Sequence, residues 1–247
     1  MGDPEGKVAL LAGGSGLVGG YVISAILDAP DFARVYAVTR RQLNREHFRL
    51  ANRIVQFDQI ETQLKGLKCN VALCCLGTTI RSAGSPEAFR KVDFDYTLAF
   101  ARAAKAAGAQ RFVLVSSTDA DSKSKRLYLR TKGETELALE QMGFAALDIL
   151  QPSVLLGLRR EMRPAELIAQ AFMPIVNPFL VGGRERLRAI SARTVAMAVI
   201  GAARSQRRGT TRYAYGAIKA LAKTKPAPRA LQPTGADKKK GATQTRR

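Results

Sequence analysis

The stretch from Val8 to Ala29 constrains the fold more than any other. A short apolar run, VALL, passes through AGGSGLVGG into YVISAILDA, whose apolar residues recur at helical spacing. Two glycine registers overlap here, Gly13-x-x-Gly16-x-x-Gly19 and Gly14-x-Gly16-x-x-Gly19. A tight turn after a strand needs a residue that tolerates positive φ. Close approach of a pyrophosphate, and close packing of helix on strand, both require the absence of a Cβ. The helix N-terminus then offers its unpaired N–H groups to the anion. A bare glycine motif has a plainer reading, a flexible turn that holds nothing. Its place after the first apolar run and at the start of a helix is the context that dinucleotide binding requires.

The rest of the chain repeats that alternation. Strands are expected at Val8–Leu11, Arg34–Val38, Ile54–Phe57, Val71–Cys75, Arg111–Val115, Ala146–Leu150 and Arg212–Tyr215. Helices are expected over 86–107 with a stop at Gly108, and at Leu127–Met142, Pro164–Phe172 and Ser191–Ala203. Short strands between longer amphipathic helices mean βαβ units and a parallel sheet. VALL, VALCC and FVLV are apolar throughout, as suits strands covered on both faces. The fold class is therefore α/β: a Rossmann-like doubly wound parallel sheet with helices on both faces, in a single domain over 1–222. Ligands of such sheets bind beyond the strand C-termini, at the topological switch point.

Charge then divides the chain. There are 40 Lys+Arg against 20 Asp+Glu, a net +20. Residues 223–247 hold eight basic residues, three prolines, no aromatics and one acid, so that tail reads as disordered. The remainder is still strongly basic, which suits phosphorylated or otherwise anionic small molecules as well as polyanions. No helix-turn-helix, zinc or single-strand-binding signature points to sequence-specific nucleic acid. His47 is the only histidine, which argues against histidine-built metal sites and histidine-based triads, so no metal is expected. Cys69, Cys74 and Cys75 form no disulfide framework and suggest a reducing, cytoplasmic setting. No apolar run is long enough for a transmembrane segment, and the polar N-terminus does not read as a secretory signal.

Which dinucleotide is bound turns on the end of the second strand. An NAD site usually carries an acid there, for the ribose 2′-OH. This chain has Thr39, Arg40 and Arg41, and no acid between Asp31 and Glu46. Arginine suits a 2′-phosphate, so NADP(H) is the expected cofactor. Asp58, after the third strand, is a candidate acceptor for the adenine amino group; capping the next turn is the plainer role.

Tyr128 and Lys132 stand four apart in a predicted helix and so share a face. A free tyrosine titrates near pH 10, and a neighbouring cation brings such a group into range for acid–base work. Ser116 and Ser117 close the strand RFVLVSS at the edge where ligands bind. A serine hydroxyl there suits the substrate oxygen that Tyr128 protonates.

With GGSGLVGG, CCLGTTIRSAG, FRKVDFDYTLAFARAAKAAGAQRFVLVSSTDAD, YLRTKGETE, LDILQPSVLLG and RPAEL, the chain resembles the atypical short-chain dehydrogenases/reductases over roughly 6–220. It is most similar to the nucleoside-diphosphate-sugar-epimerase-like branch that includes the Tat-interacting-protein-type oxidoreductases. The resemblance implies that Gly13, Ser15, Gly16, Leu17, Val18 and Gly19 hold the pyrophosphate and Arg40, beside Arg41, the 2′-phosphate. Leu76, Gly77 and Thr78 would lie along the cofactor. Ser117 (or Ser116), Tyr128 and Lys132 would form the catalytic set, with Lys132 also on the nicotinamide ribose. Pro152, Ser153 and Val154 would border the nicotinamide.

The expected activity is NADPH-dependent reduction of a carbonyl, or its reverse, by a monomer or homodimer. A non-catalytic NADP-responsive binding protein is the alternative, and a nucleic-acid or membrane-surface binder acting through the basic body and tail a weaker one. The substrate pocket is expected from 159–183, an apolar, arginine-flanked stretch. Cys74 and Cys75 read as buried inert thiols.

Overall fold

The computed structural model of the chain describes residues 6–157 and 182–224. Seven strands form one parallel sheet: β1 (Lys7–Ala12), β2 (Phe32–Thr39), β3 (Leu50–Ile54), β4 (Val71–Cys74), β5 (Arg111–Val115), β6 (Ala146–Leu150) and β9 (Gly209–Tyr213). Their order is β3-β2-β1-β4-β5-β6-β9, with every neighbouring pair parallel. A separate parallel pair joins β7 (Leu155–Leu156) to β8 (Ile190–Ser191). From β1 the chain first runs outward to β2 and β3, then returns to the other side as β4. The strand order therefore reverses between β1 and β4, and a crevice opens beyond their C-termini.

Helices cover both faces. Ala9, Leu11, Val35 and Leu73 pack against α1 (Leu17–Leu27), α7 (Ala192–Arg204) and α8 (Tyr215–Ala222). Leu10, Ala72, Phe112 and Ile149 pack against α2 (Ile60–Gln63), α5 (Tyr96–Ala106) and α6 (Leu127–Gln141). Successive strand side chains point to opposite faces, so VALL and VALC serve both layers at once. No helix among the described residues is long and apolar enough to cross a membrane.

Three expectations shift. The third strand is Leu50–Ile54, not Ile54–Phe57; it lies at the sheet edge, and its half-exposed LANRI carries no apolar run. Phe57 is buried instead in a short 3-10 turn, Phe57–Gln59. The last strand is Gly209–Tyr213, where β-branched Thr210 and Thr211 pair with Leu147 and Asp148. After the single turn α3 (Ile80–Ala83), the helix expected over 86–107 is a rod in three parts: α4 (Pro86–Arg90), a π-helical turn at Lys91–Asp95, and α5. The expected helix at Pro164–Phe172, most of the 159–183 stretch and the tail beyond Thr224 lie outside the described residues.

Candidate active site

The glycine loop is fixed by contact with the neighbouring strand. Gly13 has φ +83, and a Cβ on it would overlap the Cys75 carbonyl. A Cβ on Gly19 would overlap the Gly13 carbonyl, so the third glycine lets α1 approach β1. Gly16 has a different role. Its N–H donates to the Gly13 carbonyl at 3.0 Å, and it stands at the N-cap of α1, where it lines the crevice. No side chain caps this end of α1, and no acid stands in its first turn. Its N–H groups therefore remain suited to an anion.

A cleft of about 300 Å³ occupies the crevice. Gly16, Leu17 and Val18 form one wall, and Cys75 to Thr79, just past β4, form another. Val115 and Ser116 close its base, Tyr128 and Lys132 reach in from α6, and Ser153 to Leu155 complete the rim. One cleft thus joins Gly16, Leu17, Val18, Leu76, Gly77, Thr78, Ser116, Tyr128, Lys132, Ser153 and Val154 from the sequence-predicted set. Gly13 and Gly19 lie behind it as packing positions, Ser15 is exposed at the turn, and Pro152 is buried with its carbonyl accepting from the Thr118 N–H at 2.9 Å.

The two serines differ. Ser116 Oγ donates at 2.6 Å to buried Glu136, which also accepts from Gln151 Nε2 at 3.0 Å and Arg212 Nε at 3.0 Å. The Ser116 hydroxyl is therefore turned into the core. Ser117 is half-buried one residue further on, outside the cleft lining, with its Oγ 3.3 Å from the Thr118 carbonyl.

Tyr128 stacks on Phe89, with ring centroids 5.6 Å apart. Lys132, one turn on, is only 5% exposed. Its Nζ lies 2.7 Å from Asp93 Oδ1, and Asp93 is 1% exposed. The other carboxylate oxygen accepts the Thr78 N–H at 2.8 Å. Burial opposes the charge on Lys132, yet Asp93 first and Tyr128 next outweigh it and hold the ammonium above the ordinary lysine range. Gly133 follows because a Cβ there would overlap the Asp121–Ser122 backbone, the loop that runs on from Ser117.

Sequence reasoning assigned Asp93 no role. The signal was present: an acid on the buried stripe of a helix otherwise lined by Phe89, Thr97, Phe100 and Ala104.

The adenosine side is more open. Arg40 and Arg41 are exposed and make no ion pair among the described residues. Their turn is held by Thr39 Oγ1, which donates to the Arg41 carbonyl at 2.8 Å and accepts from Asn52 Nδ2 at 2.6 Å. Asp58 is exposed, 2.9 Å from Lys91 Nζ, and accepts the Tyr96 hydroxyl at 3.0 Å. The hydrogen bond from Lys91 leads the effects that hold its carboxyl below the usual range.

Comparisons with known proteins bear on the family and the fold. The NAD dependent epimerase/dehydratase family matches residues 9–140. Protein HTATIP2 of Rattus norvegicus is 38% identical over 172 residues, covering 68% of this chain and 71% of that protein. Protein FMP52, mitochondrial, of Lodderomyces elongisporus is 37% identical over 164 residues, covering 62% of this chain and 69% of that protein. Among solved structures, a UDP-N-acetylglucosamine 4-epimerase from Methanobrevibacter ruminantium, in complex with UDP-N-acetylmuramic acid, superposes with a TM-score of 0.63 at 18% identity, over 85% of this chain and 77% of that one. MoeE5 in complex with UDP-glucose and NAD gives 0.62 at 16% identity, over 86% and 79%. At these identities the structures establish the fold.

Proposed function

We propose a function for a chain that belongs to the NAD dependent epimerase/dehydratase family: NADP(H)-dependent oxidoreduction of a carbonyl or alcohol on a small molecule. The observation that carries it is the convergence, on one cleft, of the uncapped end of α1 with Tyr128 and Lys132. The residues fit a dinucleotide. Gly16 and Gly77 both line the cleft, the end of α1 is uncapped, and Arg40 and Arg41 are exposed and available to a 2′-phosphate. A bound nicotinamide supplies or accepts the hydride.

The chain's own groups do the rest. Tyr128 gives its proton to the substrate oxygen, or takes one in the reverse direction. Lys132 holds ribose hydroxyls. Ser117 is the hydroxyl left for the substrate oxygen, since Ser116 is engaged by Glu136. An anionic substrate suits the strong positive charge. We keep a cytoplasmic location within this proposal. The fungal relatives carry the word mitochondrial in their names, so imaging of a tagged chain is the check.

Titration with NADPH and NADH, read by nicotinamide fluorescence, tests the cofactor assignment. The chain has no tryptophan, so the protein background is low. NADPH should bind at least about tenfold more tightly than NADH, a difference of about 1.4 kcal/mol. Tyr128→Phe should abolish turnover and leave NADPH binding within a few-fold.

One observation favours a second reading. Ser116 is committed to the core and Ser117 stands outside the cleft lining, as in a protein that binds NADP(H) to signal rather than to react. Under that reading Tyr128→Phe would leave a partner interaction intact, while loss of Gly16 or Arg40 would abolish it.

A further inference from the structure

A lone buried lysine beside a tyrosine draws the proton off the phenol and makes it a base. This cleft holds something else. The Lys132 ammonium is 2.7 Å from the Asp93 carboxylate, and both are buried. The elements around Lys132 contribute three titratable groups: Asp93 from the π-helical turn, Tyr128 from its own helix, and Cys74 from β4. Burial pushes the Cys74 thiol up to about 11, so it stays neutral. Residues 16–18 and 153–155 carry no titratable side chain. Those at 75–79 add only Cys75, which burial likewise keeps protonated.

Asp93 is held by three contacts, two on its carboxylate and one on its backbone. One oxygen faces Lys132 and the other accepts the Thr78 N–H. The Asp93 backbone carbonyl, within the π-helical turn, accepts from Thr135 Oγ1 of α6 at 3.2 Å. A π-helical turn is a rare departure from α geometry and often accompanies a functional site. Here it joins the wall at Thr78 to the helix that carries Tyr128 and Lys132.

We propose that Asp93 is a positioning residue that cancels the Lys132 charge, so that Tyr128 keeps its proton and the site is set to reduce carbonyls rather than to oxidise alcohols. The inference rests on Tyr128 being the acid of the proposed reaction. In that direction a bound reduced nicotinamide would supply the hydride with its electron pair to the carbonyl carbon and would be left oxidised. The C=O π pair would move onto oxygen, which would take the Tyr128 proton, and a proton from solvent would restore the phenol.

Tyrosinate absorbance tests this without cofactor or substrate, and the absence of tryptophan keeps the signal clean. The step missing from Tyr128→Phe belongs to Tyr128. An opposite charge within about 4–6 Å moves a titration by about 1–3 units. Asp93→Asn, which leaves Lys132 uncancelled, should therefore lower the midpoint of that step by at least about one pH unit. Asp93→Asn/Lys132→Met removes both charges and should restore the wild-type midpoint to within about half a unit.

An unchanged midpoint in Asp93→Asn overturns the proposal. If Asp93→Asn does not fold, the double variant decides alone. A midpoint more than one unit above wild type would mean that Lys132 acts uncancelled, and would overturn the proposal; agreement with wild type supports it. The NADPH titration separates this inference from the function it rests on. Binding of NADPH with no shift refutes only the role of Asp93, and a shift without NADPH binding supports that role while refuting the cofactor assignment.

Discussion

Replacing Arg40 and Arg41 together by alanine should convert a selective site into an indifferent one. Both side chains are exposed, and neither makes an ion pair among the described residues. Their loss therefore leaves no partner stranded, and stability should change by less than about 0.5 kcal/mol. The backbone turn that presents them is fixed separately, by Thr39 and Asn52. An exposed charge pair contributes up to about 1 kcal/mol, so two arginines on one 2′-phosphate contribute about 2 kcal/mol. At about 1.4 kcal/mol per decade, that is about a 30-fold loss of NADPH affinity. NADH lacks the phosphate and should be bound within about twofold of its wild-type affinity. Competition between the two nucleotides at low and high salt measures both terms, and the NADPH loss should shrink as salt screens it. Parallel weakening of NADPH and NADH would refute the reasoning, because it would place the arginines on a part of the nucleotide that both share. No loss for either nucleotide would refute it as well.

Two further outcomes follow from local geometry. In an open helix Gly→Ala stabilises by up to about 1 kcal/mol; Gly133→Ala should instead destabilise by about 1–3 kcal/mol, because its Cβ meets the Asp121–Ser122 backbone, and urea unfolding reads the sign. For Asp31, burial opposes ionisation, but hydrogen bonding and charge from Arg204 prevail and the folded carboxyl sits below its ordinary value. A lowered carboxylate contributes stability above its unfolded value, near pH 3.9, and loses it as pH falls through the lower folded value. Arg204→Gln should therefore flatten the acid limb of a stability–pH curve in that window, and an unchanged slope would contradict the assignment.

The centre of the sheet was legible and its edges were not. β1, β4 and β5 are buried on both faces along most of their length, so they carry unbroken apolar runs that need no period to be recognised, while β6 is as buried but interrupted by Asp148, which pairs with Arg111. β3 and β9 close the sheet, and their exposed positions took polar residues that blur both ends. The glycine loop was readable because steric need leaves one residue type at Gly13 and Gly19. Tyr128 and Lys132 were readable because a fixed spacing puts them on one face. Asp93 was not, because its meaning depends on a partner 39 positions away and on a π-helical turn that no local pattern announces. Nor does local sequence separate Ser116 from Ser117, since the choice is made by Glu136 on another element.

Helix α6 shows why these features belong together. Its buried residues are Thr131, Lys132, Gly133, Thr135, Glu136 and Leu139, so only one large apolar side chain anchors it. Helices usually gain their stability from an apolar face. This one is held by polar ties: Lys132 and Thr135 to Asp93, and Glu136 to Ser116, Gln151 and Arg212. Buried polar ties fix direction more sharply than apolar contact, and each is expensive to leave half-made. Glu136→Ala would strip three donors of their acceptor at once. The Ser116 hydroxyl is buried among them, whereas Arg212 keeps Glu140 at 2.8 Å. The loss should be about 2–3 kcal/mol in chemical denaturation, the cost of one or two buried polar groups left unpaired. It should also be local first, with amide exchange rising across 127–139 while β4 and β5 stay protected. Uniform deprotection of the whole sheet would mean that α6 is an ordinary packed helix, and that its polar face does not hold Tyr128 and Lys132 in place.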